Sequence, residues 1–297
     1  MVHNSEWLRS RGPLLLAANH PNSFLDAVII DALFHRPVWS LARGDVFKNK
    51  FISRLLSALN ILPVYRISEG VENLTSNYNT FSDCVELFRK NGIVLIFSEG
   101  RSTNEWRLRP LKKGTARLAI SCWEKQIPLR VLPVGINYSS FHRFGKNLFI
   151  DFGKPLHSDL LKDTDTDGAK IQAFNRQLHD ELKNIVYDID ENDKKKLGEK
   201  FFLSVSPLKK MALFLPALLG HIIHAPIYLP VLFFVDKRFS RGDHYDSVQV
   251  ALLLLIYPVY LLIAATLLWI FVGWIWAIFA CAVMPFCAWC AVHIRSR

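Results

Sequence analysis

Three things are scarce in this chain: acidic residues, cysteines, and apolar residues at the N-terminus. The 26 Asp and Glu against 36 Lys and Arg leave a net charge of +10, which points to an anionic partner, either nucleic acid or an anionic lipid surface. Zinc-finger spacing, RNP-type motifs and basic heptads are absent, so no nucleic-acid partner is expected. Of the five cysteines, Cys84 and Cys122 are isolated and Cys281, Cys287 and Cys290 fall in an apolar tail. The pattern CAWC at 287–290 has no second pair and no nearby histidine, so it reads as small residues packing in a helix rather than a zinc or redox site. The opening MVHNSEWLRSRGP has no apolar stretch of the kind a secretory signal needs, and a cytoplasmic placement is expected for residues 1–205. Neither GxSxG nor GxxxxGK[ST] occurs, which removes the serine-hydrolase and P-loop readings. DTDTDG at 163–168 begins like a calcium loop, but its twelfth place is Phe174 where a bidentate glutamate is required. It reads as a solvated turn capping the next helix.

Apolar residues are instead concentrated late in the chain. No formal charge occurs from Val250 to Val292, a run roughly twice the ~20 residues one bilayer-spanning helix needs. Residues 211–297 hold only five basic and three acidic side chains, so nearly all the net charge belongs to the first two thirds. Composition therefore predicts a core over 1–157, a charged helical extension over 158–205, and a membrane region over 206–297. Within that region, 211–235 carries Pro216, Pro226 and Pro230, and the loop after it carries Lys237, Arg238 and Arg241. Because basic loops stay on the cytoplasmic side, 211–235 is expected to be interfacial or re-entrant. The segment 248–292 then forms a helical hairpin reversing near Gly273, and the whole is expected to be multi-pass. His221 and His224 share a helical face but have no acidic neighbour, so no metal is expected there.

Earlier in the chain, periodicity alternates between strand and helix. Strands are predicted at 14–18, 38–42, 61–65, 93–97, 129–138 and 147–153. Helices are predicted at 24–34, 50–60, 80–90, 114–125 and 169–188, with Thr80 as a possible cap. That alternation implies an α/β domain with a mostly parallel sheet flanked by helices. Functional groups in such sheets gather at the carboxyl ends of the strands.

Four stretches place reactive side chains at those ends. NHPNSFLD (19–26) follows the strand LLLAA and precedes a helix. His20 and Asp26 are six positions apart, so on one unbroken helix they would point apart by about 240°. His20 must therefore sit on the turn, with Asp26 in the first helical turns reaching back, a pairing that lets an imidazole accept a proton near neutral pH. LPVYR (62–66) brings Arg66, FSEGRS (97–102) brings Glu99, Gly100, Arg101 and Ser102, and LRPLKKG (108–114) brings Arg109, Lys112 and Lys113. Together they supply a base, an orienting acid, a glycine permitting close approach, and cations suited to phosphate.

In order and spacing, NHPNSFLD, LPVYR, FSEGRS and VLPVGINY resemble the four blocks of the glycerolipid acyltransferase family, which includes lysophosphatidate and glycerol-3-phosphate acyltransferases. The resemblance spans roughly residues 13–155. It implies a membrane-bound O-acyltransferase of phospholipid synthesis, moving a fatty acyl group from an acyl thioester to a hydroxyl of glycerol-3-phosphate or 1-acyl-glycerol-3-phosphate. His20 would be the general base and Asp26 its orienting partner. Arg66, Glu99, Gly100, Arg101 and Ser102 would bind the acceptor. It implies no metal or resident cofactor, acyl-CoA or acyl-carrier protein as co-substrate, and membrane lipids as surroundings, with the active site on the cytoplasmic face. Five residues separate His20 from Asp26 where the family usually has four, a spacing similar to the fungal-type glycerol-3-phosphate acyltransferase branch. Arg101 also stands where threonine is usual. These departures bear on the acceptor, leaving an amino-acid lipid or glycolipid precursor as the alternative. A non-catalytic adaptor with the same fold is the other alternative. The family's frequent membrane-leaning N-terminal helices do not precede the first block, so anchoring is expected from the tail or from sequence upstream.

Overall fold

A computed structural model describes residues 1–64, 74–162, 164–240 and 242–294. They fall into two compact units. One comprises 1–137 with 149–190, the other 138–148 with 191–297.

The first unit is built on seven strands: β1 (Val2–His3), β2 (Leu14–Ala18), β3 (Val38–Arg43), β4 (Ile61–Val64), β5 (Ile93–Phe97), β6 (Arg130–Tyr138) and β7 (Leu148–Phe152). Their order across the sheet is β1-β7-β6-β2-β5-β3-β4. β2 pairs in parallel with β5 and β6, β3 with β4 and β5, and β1 with β7. β2 is central, and all five of its residues are buried, as expected for a parallel strand covered on both faces. The helices between strands are α1 (Phe24–Leu33), α2 (Lys50–Ala58), α3 (Leu74–Arg89) and α4 (Lys113–Glu124), with α5 (Asp167–Ile185) after β7.

Most predicted elements recur within two or three residues; β1 is not among the predicted strands, and three further features differ. Thr80, expected to cap a helix, is buried inside α3 and donates its hydroxyl proton to the Pro63 carbonyl at 2.6 Å. The helix starts a turn and a half before Thr80, in LTSNYN, a stretch without the apolar periodicity from which a helix is read. The composition boundary at 157 also differs from the compact division. Phe174, Leu178 and Leu182 recur every four residues on polar α5 and are fully buried against α4 and the sheet core, which joins 158–190 to the first unit. Finally, Lys194–Phe201 (α6) forms a helix in what reads as a charged stretch, with the Asp193 carboxylate accepting from the Lys196 amide at 2.9 Å as an N-cap. The DTDTDG turn caps α5 through Thr166, which accepts from the Ala169 amide; Asp163 lies outside the described residues.

In the second unit, α7 (Pro207–Phe239), α8 (Tyr245–Phe271) and α9 (Trp274–His293) are each long and apolar enough to cross a membrane. Only Val272 and Gly273 separate α8 from α9, and helices so joined and packed together run antiparallel. Along α7 the partners change. Leu213 and Ala217 cluster with Cys290, Ala291 and Ile294, and the Gly220 backbone lies so close to Cys287 that an added Cβ would meet its carbonyl oxygen at 2.2 Å. Further on, the Tyr260 hydroxyl donates to the Ile223 carbonyl at 2.7 Å, the His224 and Tyr257 rings lie 5.5 Å apart, and Val231 and Val235 pack with Tyr245, Val248 and Leu252. Rising numbers on α7 thus meet falling numbers first on α9 and then on α8. α7 is nonetheless one continuous helix, with Pro226 and Pro230 inside it where a helix hydrogen bond is lost.

The loop 139–147 clusters with these helices. Lys146 forms a buried ion pair with Asp246, the His142 ring lies 4.9 Å from that of Tyr245, and Phe144 meets Tyr228.

Candidate active site

β2 and β5 are parallel neighbours in register, Ala18 opposite Phe97, so the turns that leave them open side by side on one edge of the sheet. Just past β2 the Asn19 side chain bridges to β6, its amide nitrogen donating to the Ile136 carbonyl at 3.0 Å and its amide oxygen accepting from the Ile136 amide at 2.8 Å. His20 comes next. Its ring stacks on Phe97 at 3.7 Å with an interplanar angle of 9°, and its Nδ1 lies 2.9 Å from Oδ2 of Asp26. The Asp26 side chain has no exposed surface, whereas that of His20 keeps 17%. The same Oδ2 accepts the Asn22 amide at 2.8 Å, so the carboxylate holds both the imidazole and the turn that carries it. Nδ1 is committed to Asp26, which leaves Nε2 as the nitrogen that can take a proton.

The turn itself is unusual. Ser23 has φ 52°, in the left-handed region that L residues rarely adopt. Its amide donates to the Ser102 hydroxyl at 2.7 Å, so the loop after β5 fastens the turn after β2. Further bonds do the same. The Thr103 amide donates to the His20 carbonyl at 3.1 Å and the Asn104 side-chain amide to the Pro21 carbonyl at 2.7 Å.

Glu99 is buried, and its two oxygens are occupied from inside. Oε2 accepts the His20 amide at 3.3 Å and Oε1 the Arg109 amide at 3.0 Å. Burial pushes its carboxyl above the ordinary glutamate range, and the two backbone amides pull it back. Gly100 turns the chain at φ 69°, and a Cβ there would press on Lys112 at 3.0 Å. Arg101, Lys112 and Lys113 are exposed. The Lys112 amide donates to the Ser98 carbonyl at 2.8 Å, setting the start of α4 beside the same edge.

The sheet therefore brings together His20, Asp26, Glu99, Gly100, Arg101 and Ser102. Arg66 lies outside the described residues. Glu99 and Ser102 turn inward, toward backbone amides, and their direct effect is to position the His20 turn. Asn19, Phe97, Thr103 and Asn104 complete the site. Only the asparagines had a visible signal, standing beside a histidine at a strand end and in a loop between two charged stretches. Among the described residues no group of three or more His, Cys, Asp or Glu side chains is arranged to hold a metal.

The model of a family described as Acyltransferase matches residues 1–137. Glycerol-3-phosphate O-acyltransferase 1 of Saccharomyces cerevisiae is 35% identical over 68 residues, 22% of this chain and 9% of the yeast protein. A 1-acyl-sn-glycerol-3-phosphate acyltransferase of Brassica napus is 25% identical over 41% of this chain and 34% of its own length. The Bacillus subtilis 1-acyl-sn-glycerol-3-phosphate acyltransferase is 25% identical over 62% of this chain and 87% of its own. This chain thus spans about a third or less of the yeast and plant relatives and most of the bacterial one. Among solved structures, the 1-acyl-sn-glycerophosphate acyltransferase PlsC of Thermotoga maritima aligns with a TM-score of 0.43 and 16% identity, over 63% of this chain and 70% of that one.

Proposed function

We propose that this chain, whose residues 1–137 match the model of a family described as Acyltransferase, is a glycerolipid acyltransferase that transfers a fatty acyl group from an acyl thioester to a hydroxyl of a phosphate-bearing glycerol acceptor. Glycerol-3-phosphate and its 1-acyl form are the acceptors in view, with acyl-CoA or acyl-carrier protein as donor. The observation that carries the reading is the 2.9 Å contact between a partly exposed imidazole and a fully buried carboxylate at the strand edge. Nε2 of His20 takes the proton of the acceptor hydroxyl as its oxygen attacks the thioester carbonyl. The tetrahedral adduct expels the thiolate, and Nε2–H returns the proton to that sulfur. Asp26 keeps the tautomer and stabilises the transient imidazolium, the part a buried carboxylate plays beside a catalytic histidine. Arg66 and Arg101 are assigned to the acceptor's phosphate, and Glu99 and Ser102 to holding the turn.

In this reading the protein is multi-pass. α8 and α9 cross the bilayer, α7 enters and returns on one side, and the active site faces the cytoplasm. The support is the basic character of both α7 flanks, Lys209 and Lys210 at one end and Lys237 and Arg238 at the other.

Membranes carrying the wild type, His20→Ala or Asp26→Asn are incubated with labelled acyl donor and either glycerol-3-phosphate or its monoacyl form. Removing a positioned general base is expected to cost about 10²- to 10⁴-fold in rate. Equal product from all three proteins would end the catalytic assignment and favour an adaptor.

A further inference from the structure

Phe97 closes β5 opposite Ala18, and the Ser98 amide after it donates to the Ala18 carbonyl at 2.9 Å. Alanine fills no space beyond its methyl group, so the His20 ring, two residues further on, lies over the phenyl face. The ring centroids are 3.7 Å apart and the planes 9° from parallel. Carbon atoms of stacked rings make contact near 3.5 Å, which leaves a lateral offset of at most about 1.2 Å. The two rings are therefore superposed face to face. Neutral aromatic pairs avoid that arrangement, because both faces are negative, and settle offset or edge-on with centroids roughly 4.5–7 Å apart. His142 with Tyr245 and His224 with Tyr257 are of that ordinary kind, at 4.9 Å and 59° and at 5.5 Å and 33°.

A cation reverses the sign of the interaction, since a positive ring is drawn to the negative phenyl face. The stack is thus matched to a charged imidazole, and His20 carries that charge only after taking a proton. We infer that Phe97 is a positioning residue whose ring face stabilises the imidazolium of His20, the form produced when the acceptor hydroxyl gives up its proton. The inference rests on the general-base role proposed above and adds a second partner for the cation. Asp26 meets Nδ1 at one edge of the imidazole, and Phe97 covers one of its faces. Nε2, on the remaining edge, is left to the hydroxyl. The His20 side chain keeps only 17% of its surface exposed, so water screens the contact little. The carboxylates of Asp26, from α1, and Glu99, from the turn after β5, also face His20, and the loop before α4 brings Arg109 to the other oxygen of Glu99. All three residues are retained in the variants below, so a change there reports on the phenyl ring.

The test uses the full chain, purified in detergent, with Phe97→Leu and with 3,4,5-trifluorophenylalanine at position 97, which keeps the shape of the ring and drains the negative charge from its face. The first readout needs no substrate. With histidine labelled with carbon-13 at Cε1, and the His20 signal assigned by its absence from His20→Ala, NMR follows the imidazole through protonation. In both variants that signal is expected to change at a pH about half a unit or more below that of the wild type. The second readout is acyl transfer to glycerol-3-phosphate or its monoacyl form, where kcat should fall about three- to thirtyfold in both variants with KM nearly unchanged. A wild-type titration in the trifluoro variant would overturn the inference, whatever happens in Phe97→Leu, because a ring that serves only as packing is insensitive to the charge on its face. If the titration moves as stated while kcat does not, or while no phosphate-bearing acceptor is acylated, the general-base reading fails and the stabilising stack survives.

Discussion

One oxygen of Asp26 serves two donors, the imidazole and the Asn22 amide, so the carboxylate cannot be exchanged for an amide without harm. Asp26→Asn presents either an NH2 group or a single carbonyl to those donors. Activity should fall by about 10²-fold or more while the protein stays folded, and circular dichroism alongside the transfer assay separates the two effects. Glu99 is the structural counterpart. Glu99→Gln points an NH2 group at a backbone N–H in a buried place, which should cost about 1–3 kcal/mol in denaturant unfolding of the purified chain, and the loosened His20 turn should lower kcat before it raises KM. An unaltered unfolding midpoint would remove Glu99 from that positioning role. At this scale the sequence is informative about His20 and Asp26, because a histidine just past an apolar strand can have only a turn to sit on. It places Glu99 at a strand end but does not give its orientation. Which way a carboxylate faces depends on the Arg109 amide ten residues later, and nothing in FSEGRS records the fold of the loop between them.

Strands are legible as elements because LLLAA, IVLIF and VLPVGINY are continuous apolar runs short enough to exclude a helix. Helices bounded by polar residues are harder to place. α3 begins in LTSNYN, which lacks apolar periodicity, and α6 in KKKLG, where the Asp193 cap marks the start. The three prolines of 211–235 lie inside one continuous helix, and its change of partner from α9 to α8 depends on contacts that the sequence does not record. Gly220 is the residue on which that packing turns. Gly220→Ala would place a methyl group against the Cys287 carbonyl and should cost about 1–3 kcal/mol. The expected readout is earlier loss of helical signal on titration with a denaturing detergent. A midpoint identical to wild type would mean that α7 and α9 do not meet there.

For the molecule as a whole, the proposed arrangement in the bilayer is open to a labelling experiment. With the native cysteines replaced, Ser206→Cys and Ser240→Cys should react with a membrane-impermeant maleimide from the same side of sealed vesicles. Val272→Cys should react from the other. Labelling of Ser206→Cys and Ser240→Cys from opposite sides would make α7 an ordinary crossing and place Lys237 and Arg238 opposite the active site.

The short reversal at Val272 and Gly273 also bears on biogenesis. If α7 turns back and α8 and α9 form a closed pair, the far side of the bilayer receives only that two-residue link and the apolar helix ends beside it. No hydrophilic mass then has to be carried through, and the driving force is the transfer of tryptophan, leucine and isoleucine side chains out of water.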